Sequence, residues 1–100
     1  MTIDGFVRAL KRKTRETGRK WVVAKGERLR TRNGRCPLEF VGGVHRPHDY
    51  SDAGERLGLS TKDVNTIIGA ADNMDRNHAE ERVLRRRLFR ACGLKPEPTA

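Results

Sequence analysis

The segment His45-Arg46-Pro47-His48 places two imidazoles three residues apart, and the chain carries two thiols, Cys36 and Cys92. These are the ligand types that hold zinc. Each cysteine stands alone, without a Cys-x-x-Cys knuckle, and structural zinc sites usually pair them. Both thiols are therefore expected as small buried apolar groups, and no metal or cofactor is expected. A second set, His45, His48, Asp49, Tyr50 and His78, has the titratable types that move protons. Asp72, Asp75 and His78 have the types of a metal-dependent nuclease on a basic chain. Neither set comes with a Gly-rich phosphate loop or an activated nucleophile. The chain is not expected to be an enzyme, and a metal-dependent nuclease stands only as a third reading.

The stronger chemical pattern is cationic. Arg8, Lys11, Arg12, Lys13, Arg15, Arg19 and Lys20 form one cluster, and Arg28, Arg30, Arg32 and Arg35 a second. Alternation by two puts Arg28, Arg30 and Arg32 on one face of a strand. Arg82, Arg85, Arg86, Arg87 and Arg90 form a third cluster. Within it Arg82, Arg86 and Arg90 recur every four residues and so line one stripe of a helix. Sixteen arginines against six lysines favour a planar fork that matches phosphate, and equally the carboxylates of a protein partner. The charge is also uneven along the chain. Residues 1–35 hold twelve Lys/Arg against three Asp/Glu, residues 36–75 three against seven, and residues 76–100 seven against three, within a net charge of +9.

The elements that must position these groups follow from periodicity and punctuation. Thr2 caps a first helix whose apolar face is Ile3, Phe6, Val7 and Leu10, and Gly18 ends it. Trp21-Val22-Val23-Ala24 reads as a strand, and Arg28-Leu29-Arg30-Thr31 returns beside it after Lys25-Gly26-Glu27. Asn33-Gly34 is a further turn. Pro37 suits the first turn of a short helix holding Leu38, Phe40 and Val41, which Gly42-Gly43 closes. Residues 42–50 read as a loop. Ser51 is expected to cap a helix holding Ala53 and Leu57, and Gly58 to end it. Ser60 caps the next, with Asp63 three residues on and Val64, Ile67, Ile68 and Ala71 facing inward. Asn77 with Glu80 marks the cap of a last helix, which buries Leu84, Leu88, Ala91 and Cys92 and stops at Gly93. The expected fold is mostly helical α+β: four to five short helices with one small hairpin at about residues 21–31. Residues 1–94 are expected to form a single domain, and 95–100 a flexible tail.

Residues 53–68, Ala-Gly-Glu-Arg-Leu-Gly-Leu-Ser-Thr-Lys-Asp-Val-Asn-Thr-Ile-Ile, resemble the helix-turn-helix motif of bacterial and phage repressors. Ala53 and Gly54 are small where the second helix approaches the first. Gly58 opens the turn, Leu59 plugs the angle, and Ser60 caps the second helix. Val64, Ile67 and Ile68 supply its buried face. Gly54 stands where such motifs usually carry alanine, at a helix cost of about 1 kcal/mol. Asp63, Asp72 and Asp75 lie on or just beyond the second helix, where a phosphate surface would repel them. The resemblance implies that Thr61, Lys62, Asn65, Thr66 and Gly69 face the major groove. Asn and Thr read base edges there, and Lys reaches guanine or phosphate.

The favoured expectation is a small basic protein that binds duplex DNA through this pair, a regulator or an accessory protein of a phage or mobile element. Lys11, Arg12, Arg15, Arg28, Arg30, Arg32, Arg82, Arg86 and Arg90 would hold phosphates. The alternative is a protein–protein interaction module, such as a phage-encoded inhibitor, docking its arginines on an acidic protein or a ribonucleoprotein. A homodimer would suit a palindromic target, although no heptad or spare apolar helix face declares one. No apolar stretch approaches the roughly 20 residues that span a bilayer, and the first ten residues lack the apolar run of a signal peptide. The cytoplasm is the expected location and a membrane partner is not expected.

Overall fold

The computed structural model describes residues 1–24, 27–43, 50–75 and 77–95. In chain order the elements are α1 (Ile3–Thr17), β1 (Trp21–Ala24), β2 (Arg28–Thr31), α2 (Pro37–Gly42), α3 (Tyr50–Leu57), α4 (Thr61–Asp72) and α5 (Ala79–Ala91). Among the described residues the fold is thus the mostly helical α+β expected, with five helices and one antiparallel hairpin. Lys25-Gly26, the residues 44–49 that include His45, His48 and Asp49, and tail residues 96–100 lie outside the described residues.

Local chemistry sets most element ends. The Thr2 side chain accepts from the Gly5 N–H, and Gly18 closes α1 in the left-handed region, where a Cβ is disfavoured. Ser60 Oγ accepts from Asp63 N–H at 3.1 Å. Cys36 caps α2 with its sulfur accepting from Glu39 N–H, while Glu39 Oε1 accepts from Cys36 N–H, a capping box built on a thiol.

Two helix starts differ from expectation, α3 by two residues and α5 by one. α3 already includes Tyr50, so Ser51 lies in its first turn and does not cap it. α5 is capped by His78, whose Nδ1 accepts from Glu81 N–H. Asn77 instead donates its N–H to Asp75 Oδ1, a local turn that holds it outside the helix.

The core gathers Phe6 and Leu10 from α1, Leu29 from β2, Leu38 and Phe40 from α2, Ile67 from α4, and Leu84, Leu88 and Phe89 from α5. Trp21 meets Phe40 edge to face, with ring centroids 5.2 Å apart. Its indole N–H donates to Thr14 Oγ1, which ties the hairpin to α1. Lys13 lies 4.9 Å over the Phe40 ring and donates to the Phe40 carbonyl, so this member of the first basic cluster is spent on packing. In the hairpin Trp21 stands opposite Thr31, Val22 opposite Arg30, Val23 opposite Leu29 and Ala24 opposite Arg28.

Candidate nucleic-acid interface

The corner between α3 and α4 is tight, and the sequence explains why. Gly58 takes φ +66°, which few side chains tolerate, and Leu59 N–H donates to the Gly54 carbonyl across the turn. A Cβ on Gly54 would lie 2.5 Å from Cγ2 of Val64. Glycine thus lets the two helices touch here at a cost in helix propensity, and alanine, usual in such motifs, would require the Val64 side chain to shift. Ala53 packs in the core on the opposite side, so close that a Cβ on Gly42 of α2 would lie 2.9 Å from its own Cβ.

The corner leaves the first half of α4 open. Thr61, Lys62 and Asn65 are exposed. The second half is not open, and two expected readers are corrected. Thr66 is 7% exposed, and its hydroxyl donates back to the Lys62 carbonyl. Gly69 is buried, and a Cβ there would overlap the Glu81 carboxylate. The reason is tertiary: the first turn of α5 packs across this part of α4. A shallow recess remains between them, lined by Gly69, Ala70, Asn73, Asp75, Glu81, Arg82 and Arg85. Arg82 therefore borders the second half of α4 at Gly69, Ala70 and Asn73, a placement that its four-residue spacing alone does not reveal.

The arginines divide into two populations. Lys11, Arg12, Arg15, Arg28, Arg32, Arg82, Arg86 and Arg90 are exposed. Arg30 is not, which corrects its expected place on a phosphate surface. It is 7% exposed, and its guanidinium meets Asp72 Oδ1 at 2.6 Å. Burial alone would lower its pKa; the Asp72 hydrogen bond and charge outweigh this, and the net direction is up. The pair also neutralises Asp72, one of the carboxylates that would repel phosphate at the end of α4. Arg85 is buried too. It donates to the carbonyls of Ala70, Ala71 and Glu27, and lies 4.7 Å over the Phe89 ring. It thus caps the open carbonyls at the C-terminus of α4 and ties them to the hairpin turn. Asn73, left-handed at the end of α4, donates to the Glu27 carboxylate beside it. Arg87 pairs with Asp4 at 2.8 Å, which joins α5 to the start of α1.

At the far ends of α3 and α4 from the corner, Cys36 and Glu39 of the α2 cap, Tyr50, Asp72 and Arg30 of β2 lie close enough to influence one another electrostatically. Burial pushes the Cys36 thiol up to about 12. Burial, and then the neighbouring thiol, also raise the Tyr50 hydroxyl. Cys92 is raised by burial as well. Neither cysteine is bonded to another. Thiols held protonated this way are poor nucleophiles and poor metal ligands. His78 is engaged as a helix cap, Asp72 with Arg30 and Asp75 with Asn77. Among the described residues no three His, Cys, Asp or Glu side chains are placed to hold a metal ion, and no helix is long and apolar enough to cross a membrane. Comparison with protein-family models, with curated proteins and with solved structures gave no match.

Proposed function

We propose that this chain binds duplex DNA, with the first half of α4 entering the major groove. The observation that carries the reading is the α3–α4 corner: Gly54 against Val64, left-handed Gly58 and the Ser60 cap hold α4 by its inner side and leave Thr61, Lys62 and Asn65 exposed. Helices of this kind contact base edges chiefly through their N-terminal residues, which here are the uncovered ones. Lys62 and Asn65 are one turn apart on one face. Lysine suits guanine O6 and N7, and asparagine suits adenine N6 and N7. Arg82 borders the second half of α4 from α5, and Arg86 and Arg90 extend the cation stripe along the same helix. Lys11, Arg12 and Arg15 stand on α1, which packs on α5. These groups would neutralise phosphates and set register without reading sequence.

The test is fluorescence anisotropy of labelled random duplex at rising salt with heparin as competitor, followed by selection of a preferred site. Micromolar or tighter binding that weakens steeply with salt is expected. Lys62→Ala with Asn65→Ala should then erase the preference for the selected site, by roughly 5- to 100-fold. Thr66→Ala should leave it unchanged. Absence of duplex binding at low salt would overturn the reading and favour an acidic protein as the partner.

A further inference from the structure

The hairpin sits outside this reading. β2 packs on α4 and α2, and it reaches α4 at the Asp72 end, away from Thr61. β1 pairs only with β2 among the described residues, so its outer edge has no strand beside it. It also displays two adjacent valines, Val22 at 38% and Val23 at 45% exposure, one on each face of the strand. Two open β-branched residues beside an unpaired backbone edge fit an added strand, whose side chains would cover both.

The surrounding charge says what kind of strand. Arg19 and Lys20, both exposed, lead directly into β1. On β2, exposed Arg28 stands opposite Ala24, and exposed Arg32 follows Thr31 at the other end of the pair. Arg30 between them is turned to Asp72, and Glu27 at the turn is engaged by Asn73. The hairpin is thus apolar in the middle of β1 and cationic at both of its ends, through Arg19, Lys20 and Arg32 at one and Arg28 of β2 at the other. A second copy of this chain would bring the same four cations against themselves, which disfavours pairing of β1 with its own copy. Phosphate would be served by the cations but would gain nothing from the valines or the open amides.

We propose that the outer edge of β1 is a docking site for an acidic extended peptide segment, which adds as a third strand with apolar residues on Val22 and Val23 and carboxylates on the flanking cations. Backbone hydrogen bonds to β1 provide affinity, and Arg19, Lys20, Arg28 and Arg32 select the charge. The site is independent of the DNA-binding surface on α4.

The experiment is an NMR titration of the full ¹⁵N-labelled chain with a blocked peptide of alternating Val and Glu. Two comparison peptides accompany it: the same sequence N-methylated at alternate amides, and an oligoglutamate of equal charge. Shift changes centred on residues 21–24, with slowed amide exchange there, are expected. N-methylation should weaken binding about tenfold, because two backbone hydrogen bonds are lost. Arg28→Glu with Arg32→Glu should move preference toward a Val/Lys peptide, and these exposed positions leave the core intact. Equal binding of all three peptides, or shifts centred on the α5 arginines, would reduce the effect to bulk charge and overturn the proposal. So would no binding of the Val/Glu peptide, or concentration-dependent shifts of residues 21–24 in the chain alone, which would give the edge to a second copy.

Discussion

At the scale of single residues, the same side-chain type serves opposed purposes. Arg28 and Arg32 face solvent while Arg30, two positions from each, is buried against Asp72. Removing one partner of a buried pair leaves the other charge uncompensated. Arg30→Met should therefore destabilise the chain by about 3 kcal/mol, measured by urea unfolding. Arg28→Met should change stability by less than about 0.5 kcal/mol. The cysteines give a prediction about pH. Burial raises the Cys36 thiol to about 12 from an ordinary value of 9.0, so the unfolded chain loses its proton first. This contribution is fully present below pH 9 and is lost as pH rises toward 12. The slope is at most about 1.4 kcal/mol per pH unit for each thiol. Stability measured between pH 8 and 11 should fall over that window, and Cys36→Ala should remove part of the fall. At pH 8 a thiol reagent should label both cysteines only as fast as the chain opens.

At the scale of elements, the α3–α4 corner rests on glycine. Gly54→Ala improves helix propensity by about 1 kcal/mol. Yet it places a methyl group 2.5 Å from Val64 Cγ2. Overpacking of this kind costs about 1–3 kcal/mol, so the variant should be no more stable than the parent, and Gly54→Val clearly less. If DNA binding depends on the corner, both should weaken it while the chain remains folded by circular dichroism. Gly69→Ala provides the contrast. The obstacle there is the end of the Glu81 side chain, which can swing away, so a smaller loss of stability is expected.

At the scale of the molecule, charge that is separated in sequence is brought together in space. The basic ends of the chain form α1 and α5, which pack on each other and share the Asp4–Arg87 pair. The acidic middle partly disappears, because Asp72 is matched by Arg30. Under the proposed function, binding to duplex DNA should scale with exposed arginines and not with net charge. Arg82→Ala and Arg86→Ala should each reduce the log–log salt slope by about 0.9, weakening random and selected sites alike. Mutation of buried Arg85 should instead act through stability, since it holds three carbonyls and not a phosphate.

The sequence determined most of the local structure. Periodic apolar residues placed the inner faces of α1, α4 and α5; Trp21-Val22-Val23-Ala24 and its return placed the hairpin; Gly18, Gly43 and Gly58 placed helix ends. These signals lie within a few residues of what they control, through backbone sterics and caps. Gly58, Leu59 and Ser60 likewise placed the turn between α3 and α4, which brings Gly54 against Val64. What the sequence did not determine was which polar residues remain open. Thr66, Gly69 and Arg30 match exposed patterns, but α5 crosses α4 and Asp72 reaches β2. Burial of a polar side chain depends on partners tens of residues away, and only the packing of α4 against α5 and the hairpin decides it.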